Sequence, residues 1–317
     1  MTQINEIVSI QDTTLWNKLN NFSEESAKTL ARDLIAICKD VSSYMKLVIK
    51  DFPEYTLHDE VHLLKVTEIM ALLLGETLDK LNFIEIGLLI LSAFFHDTGM
   101  VITKERSDEL ESDSEYKIYR DTWLNNYQNY YEFKDIINDS KTSVIERINA
   151  NNMILELDCE IRLNYIRKHH GKYSEKYIEK EYSNDKRLEI FNVNLKEYIT
   201  LLCKSHTEPL DKIAVRNIYK LDDVIGSLKV NIQFIAIILR LSDILDFDRD
   251  RTPDILYKSI HFTNNVSITE WEKHRSVLGR IIDKKQIKFS IKCKHPVYQK
   301  SILHFMDRRV QGKSATV

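Results

Sequence analysis

The chain has 317 residues but only seven Gly and four Pro, where average usage would be roughly 7% and 5%. So few turn residues exclude an all-β sandwich or barrel and predict long helices. Net charge is −3, with 43% hydrophobic and 29% charged residues, an ordinary globular composition with material for a sizeable core.

After a polar start, residues 23–51 predict one amphipathic helix. Ser23 offers the N-cap, an apolar stripe runs from Ala27 through Leu34 and Val41 to Ile49, and Pro53 ends it. A second helix is expected from Thr56, with Asp59 three residues on as a variant capping box. It carries His58 and His62 on one face and stops near Gly75. Asn82–Asp97 is apolar nearly all round, which places it at the centre of a domain, and Gly99 stands in its stop position.

Residues 103–150 are charged, rich in Tyr and Asn, and weakly periodic. They read as a helical insertion or lid, in which Tyr127, Tyr130 and Tyr131 are packed rings rather than base-stacking platforms. Met153–His170 reads as a helix stopped by Gly171, and Leu195–His206 as one closed by Pro209. Asn231–Asp246 is the last strong helix, with Pro253 marking its end. Gln286–Lys292 alternates through Ile287, Phe289 and Ile291 like a strand. A short helix is expected over Pro296–Arg308, and a disordered tail over Gln311–Val317. The expected fold is all-α: a helical domain over residues 1–256, then a small mixed α/β extension over 257–317.

Several function classes drop out. Gly75, Gly87 and Gly99 are the closest-spaced glycines, too sparse for a G-x-G-x-x-G fingerprint or a phosphate loop. The longest apolar run, Ile86–Phe95, is about half of a bilayer span, and the N-terminus does not read as a signal peptide. Cys38, Cys159, Cys203 and Cys293 lack zinc-finger or redox-motif spacing, which suits reduced thiols in a cytosolic protein. From Lys258 onward 13 basic residues face 4 acidic ones, against 32 and 44 before it. This basic piece fits a polyanionic partner or docking on the acidic remainder.

Three helices offer metal-ligating groups: His62 on the second, His96 and Asp97 at the end of the third, and Asp243 inside the last. A carboxylate in so apolar a helix as Asn231–Asp246 is costly unless paired or metal-bound. Arg240, one turn earlier, is the alternative partner. His58-Asp59-Glu60-Val61-His62 has the histidine spacing of a zinc-protease helix, but Asp59 replaces its general-base Glu. Asp246–Asp250 begins like a calcium loop, but Arg251 and Tyr257 stand where that loop needs Gly and Glu.

The ordered stations Tyr55–His62, Leu91–Gly99 with His96-Asp97, and Leu239–Asp246 resemble the HD phosphohydrolase superfamily over roughly residues 25–255. The resemblance implies an HD-type helical bundle in which His62, His96, Asp97 and Asp243 hold one divalent metal: Mn, Fe, Ni, Co or Zn, with Mg less suited. A second metal would use His169, His170 and His206, although Thr207 departs from the dinuclear pattern. It further implies metal-assisted hydrolysis of a nucleotide or nucleic-acid phosphoester. Asp97 would orient or deprotonate the water, and His170 or His206 would protonate the leaving oxygen. His58, Arg167, Lys168, His169, Arg240 and Arg249 are the candidate substrate contacts. The Asp246–Pro253 stretch and Trp271–His274 are similar to HD domains joined to ATPase modules in bacterial conflict systems. That implies an ATPase partner, and with it the alternative of a non-enzymatic, metal-stabilised sensor.

Overall fold

The structure is a computed structural model that describes residues 7–262, 265–283 and 286–311. It is mostly helical, with small antiparallel hairpins. The chain divides into two compact units, Met1–Val101 with Gly171–Val317, and Ile102–His170.

The first unit begins with α1 (Thr14–Asn20), α2 (Glu25–Met45), α3 (Val48–Asp51), α4 (Glu60–Leu74) and α5 (Phe83–Phe95). The second unit holds α6 (Lys104–Ser112), α7 (Ser114–Asn125), α8 (Gln128–Asn138) and the first part of α9 (Val144–Glu181). After α9 come the hairpin β1 (Glu189–Ile190)–β2 (Val193–Asn194), α10 (Lys196–Ser205), α11 (Leu210–Ile213) and the hairpin β3 (Asp223–Ile225)–β4 (Leu228–Val230). The chain continues with α12 (Ile232–Leu245), α13 (Asp254–Ser259) and α14 (Asn265–Arg275), then β5 (Val277–Ile282), β6 (Ile287–Ile291) and α15 (Pro296–Gln311).

α5 is the axis of the first unit, and all of its residues are buried. Asn82 accepts from the Ile84 and Glu85 amides, and Glu85 accepts from the Asn82 amide at 3.2 Å, a reciprocal cap that fixes where the helix begins. α1, α2, α4, α10 and α12 pack around it. Gly87 permits the approach of α2, since a Cβ there would stand 2.6 Å from Leu30 Cδ2. The apolar stretch is longer than the run read from sequence: Phe83–Met100 has the length and hydropathy of a membrane span, yet all of it is buried inside the protein. The β5–β6 hairpin contributes Val277 to a small core with Phe247 and Ile302.

Within the second unit, packing is aromatic and ionic. Tyr116 and Tyr119 both set their rings 5.1 Å from that of Tyr165. Arg120 grips Asp158 bidentately at 2.9 and 3.0 Å. Tyr130 is buried, and half-exposed Tyr131 lies edge-on to it.

Several boundaries differ from the expected ones for local reasons. The helix expected over 23–51 breaks after Met45, where the Leu47 amide bonds the Tyr44 carbonyl and tightens the turn. Its N-cap is Glu24, not Ser23. The second helix starts at Glu60 rather than Thr56, because the Asp59 carboxylate accepts from the Val61 and His62 amides. His58 therefore lies in the preceding loop. α5 ends with His96 as its C-cap, and Gly99 sits in a 3-10 turn without positive φ. Gly171 does not stop a helix but lies inside α9. A Cβ there would meet the Thr207 hydroxyl and would stand 3.1 Å from the Cys203 carbonyl oxygen, so this glycine serves close packing on α10. His169 and His170 accordingly stand within a helix rather than at its C-terminus. Pro253 is the N-cap of α13 rather than the end of α12. The last helix continues to Gln311, and residues 312–317 of the expected tail lie outside the described residues.

Candidate metal centre

Four helices of the first unit bring ionisable side chains to one point. The Asp59 cap sets the first turn of α4, which carries His62. His96 and Asp97 project from the end of α5, Asp243 from the last turn of α12, and His206 from the C-cap of α10. His62 Nε2, His96 Nε2 and Asp97 Oδ2 stand 3.3 Å from one another. Asp243 Oδ1 lies 3.8 Å from His62 Nε2 and 3.7 Å from His96 Nε2. Ligands held at roughly 2.1 Å by one divalent ion sit about 3.0–3.5 Å apart, so this spacing fits a metal with slight contraction. The first three residues are buried, while Asp243 keeps 23% of its side chain exposed and so marks the accessible side.

Hydrogen bonds behind the rings fix their tautomers. His96 Nδ1 faces the Ala93 carbonyl at 2.8 Å, His58 Nδ1 faces the Thr56 carbonyl at 2.6 Å, and His206 Nδ1 faces the Cys203 carbonyl. A carbonyl only accepts, so each Nδ1 carries the hydrogen, and Nε2 is the atom left to take a metal ion or a second proton. His62 Nδ1 makes the same kind of bond, 2.6 Å long, to Asp246 Oδ2. His62 Nε2 and His96 Nε2 thus converge beside two carboxylates, a space that a divalent ion, or a proton in its absence, would fill.

The proton affinities agree. Burial opposes charge on His96, but Asp97 and Asp243 outweigh it and raise its pKa to about 10. Asp243 is lowered, with burial opposing and His96 dominating the pull. Burial, aided by Arg251, pushes His58 down to about 3 and keeps it neutral. His58 Nε2 lies 3.9 Å from Asp97 Oδ2, and His206 Nε2 lies 3.8 Å from Asp97 Oδ1. His58 thus reaches the centre from its loop, without the helical turn expected of it.

Asp246 is the residue that sequence reasoning left without a role. It is fully buried behind His62, with Arg280 Nη1 3.8 Å from Oδ1 and Arg251 Nε 3.9 Å from Oδ2. The available signal was its place at the end of an apolar helix, beside buried Phe247, where an ionised carboxylate needs a partner. The calcium-loop look-alike beyond it is likewise built around cations, since Lys65 pairs with Asp248 at 3.0 Å and with Asp250 at 2.5 Å.

Arg240 binds the end of a neighbouring helix. Its Nη1 donates to the carbonyls of Ser205 (3.3 Å), His206 (3.4 Å) and Glu208, at the end of the helix that carries His206. Cations there complement the helix dipole. Arg240→Ala is expected to cost about 2–3 kcal/mol, read as a lower denaturation midpoint at unchanged slope; a loss under about 0.5 kcal/mol would refute the capping role. Arg249 is exposed and paired with Asp254 at 3.1 Å.

In the second unit, Arg167 and Lys168 are exposed, and Lys168 Nζ lies 5.9 Å from the Tyr119 ring centre. The His169 ring centre lies 4.4 Å from that of Tyr165 with the planes tilted by 32°, and His170 Nδ1 faces the Arg167 carbonyl at 2.6 Å.

The HD-CE family matches residues 52–310. That span takes in α4, α5 and α12 and continues through β5, β6 and nearly all of α15, beyond the resemblance read from the motifs. No curated protein and no solved structure matches the chain. With the match covering most of its length and the buried His62–His96–Asp97 cluster in place, the chain belongs to the HD-CE family of HD domains.

Proposed function

We propose that this chain is a metal-dependent phosphohydrolase that cleaves a phosphoester bond of a nucleotide or nucleic acid with an activated water. The observation that carries this reading is the mutual 3.3 Å spacing of His62 Nε2, His96 Nε2 and Asp97 Oδ2, with every imidazole tautomer fixed from behind. His62, His96, Asp97 and Asp243 would hold the ion, and two imidazoles with two carboxylates suit Mn, Fe, Co, Ni or Zn better than Mg. Such an ion would make hydroxide available from water at neutral pH.

The chain's own groups do the rest. Asp97 Oδ1 lies on the His206 side of the carboxylate, placed to orient the water and take its proton. His206, held through Nδ1, presents Nε2 beside Asp97 Oδ1, takes the water's proton from that carboxylate and delivers it to the leaving oxygen. His58 stays neutral and offers Nε2 as a hydrogen-bonding contact to substrate. Burial of His62, His96 and Asp97 excludes bulk water from the far side, so substrate approaches past Asp243.

Elemental analysis of the purified chain, paired with hydrolysis assays on nucleotides, cyclic dinucleotides and single-stranded nucleic acids in Mn, tests the reading. The expected result is one or two metals per chain and turnover that stops on chelation. Bound metal without turnover on any of these would hand the site to the sensor reading. A folded chain that takes up no metal would overturn both.

A further inference from the structure

We infer that Ser174, on α9, is a positioning residue for the Asp97 carboxylate, an inference that rests on the metal-centre reading above. Its side chain is fully buried. Its hydroxyl donates to the His96 carbonyl oxygen at 2.6 Å and accepts from the Gly99 amide at 2.8 Å. These two backbone groups flank Asp97, so a single oxygen spans the turn that presents the carboxylate.

That turn needs an outside anchor. Asp97 lies beyond the last residue of α5, at φ −98° and ψ 1°, where the regular helix bonding that would fix its position has ended. Two further bonds of the turn are local. Thr98 Oγ1 donates to the Phe95 carbonyl at 2.8 Å, and the Met100 amide donates to the Asp97 carbonyl at 2.8 Å. Ser174 instead reaches in from 75 residues beyond Gly99 and 78 beyond His96. A hydroxyl of this size offers a strong donor and an acceptor on one atom. Its depth is set by Gly171, one turn earlier, which lets α9 close on Cys203 and Thr207 of the α10 segment. The segment that carries His206 and the turn that carries Asp97 are thereby both referenced to one stretch of α9. This matters because small displacements of a ligating carboxylate change both metal affinity and ligand field.

The test uses the full chain loaded with Co²⁺. Affinity is read by chelator competition and geometry by the visible d–d absorption. Ser174→Ala is expected to bind Co²⁺ about ten- to a hundred-fold more weakly and to show a changed spectrum. Ile37→Val, a buried packing change on α2, is expected to lose stability and keep wild-type affinity and spectrum. If Ser174→Ala does not fold, Ser174→Cys, whose thiol is a weak donor and acceptor, is read in the same way with an intermediate loss expected. Wild-type affinity and spectrum in the Ser174 variant, or an equal affinity loss in Ile37→Val, would overturn the inference alone. A wild-type chain that takes up no Co²⁺ would overturn the metal-centre reading and this inference with it.

Discussion

Asp97→Ala is expected to abolish stoichiometric metal binding and to lower hydrolysis by at least about a thousandfold, while the chain stays folded. Asp97 Oδ2 is 3.3 Å from both ring nitrogens, and Oδ1 is 3.8 Å from His206 Nε2, so one side chain serves the metal set and the proton-handling group together. Its removal takes away a ligand and the group that orients the water, and general acid–base assistance alone is worth about 10²–10⁴ in rate. Loss of fold is not expected, because the turn's backbone bonds to Phe95 and Ser174 do not involve the carboxylate. Asp97→Asn, which keeps the shape but not the charge, should fall with it. Metal content by elemental analysis and far-UV circular dichroism of the same samples decide the matter. An Asp97→Ala protein with wild-type metal content would remove this residue from the ligand set.

What the sequence made legible was what depends on composition along a single helix. α5 is apolar on every face and could only be central, and Asn82 and Glu85 announce its start. Asp243 was legible as a costly carboxylate in an apolar helix, whereas His62 and His96-Asp97 became legible with it through the resemblance of the ordered motifs to the HD superfamily. Features fixed by three-dimensional approach were hidden. Gly171 looks like a helix stop, and only the neighbouring Cys203 carbonyl reveals it as a packing position. Arg240 reads as a phosphate contact or the partner of Asp243, and spacing could not reveal its bonds to the end of α10, more than thirty residues away. The second unit has weak periodicity because rings such as Tyr116 and Tyr165 and the Arg120–Asp158 pair replace an aliphatic stripe. Strand β5 went unseen because a bulge between Val277 and Gly279 interrupts its alternation, and Arg280 turns inward to donate to the Leu245 carbonyl at 2.7 Å.

That inward arginine leads to the residue behind His62. Asp246→Ala is expected to destabilise the metal-free chain by about 3–5 kcal/mol, the usual loss when one partner of a buried charged set is removed. It should also weaken metal binding by about ten- to a hundred-fold through a freed His62 ring. The carboxylate receives the His62 Nδ1 hydrogen at 2.6 Å and balances Arg251 and Arg280, both buried or nearly so. Burial opposes its ionisation, but His62, Arg251 and Lys65 outweigh burial and lower its pKa to about 2 from the ordinary 3.8. A depressed acid stabilises the fold above its unfolded pKa and loses that contribution as pH falls. The gap corresponds to about 2 kcal/mol, fully present above pH 3.8 and lost as pH falls through about 2. Wild type and Asp246→Asn should therefore differ most in denaturation free energy near neutral pH, and the difference should shrink between about pH 4 and pH 2. A constant difference across that range, or metal affinity in Asp246→Ala within twofold of wild type, would show that His62 is oriented by its packing alone.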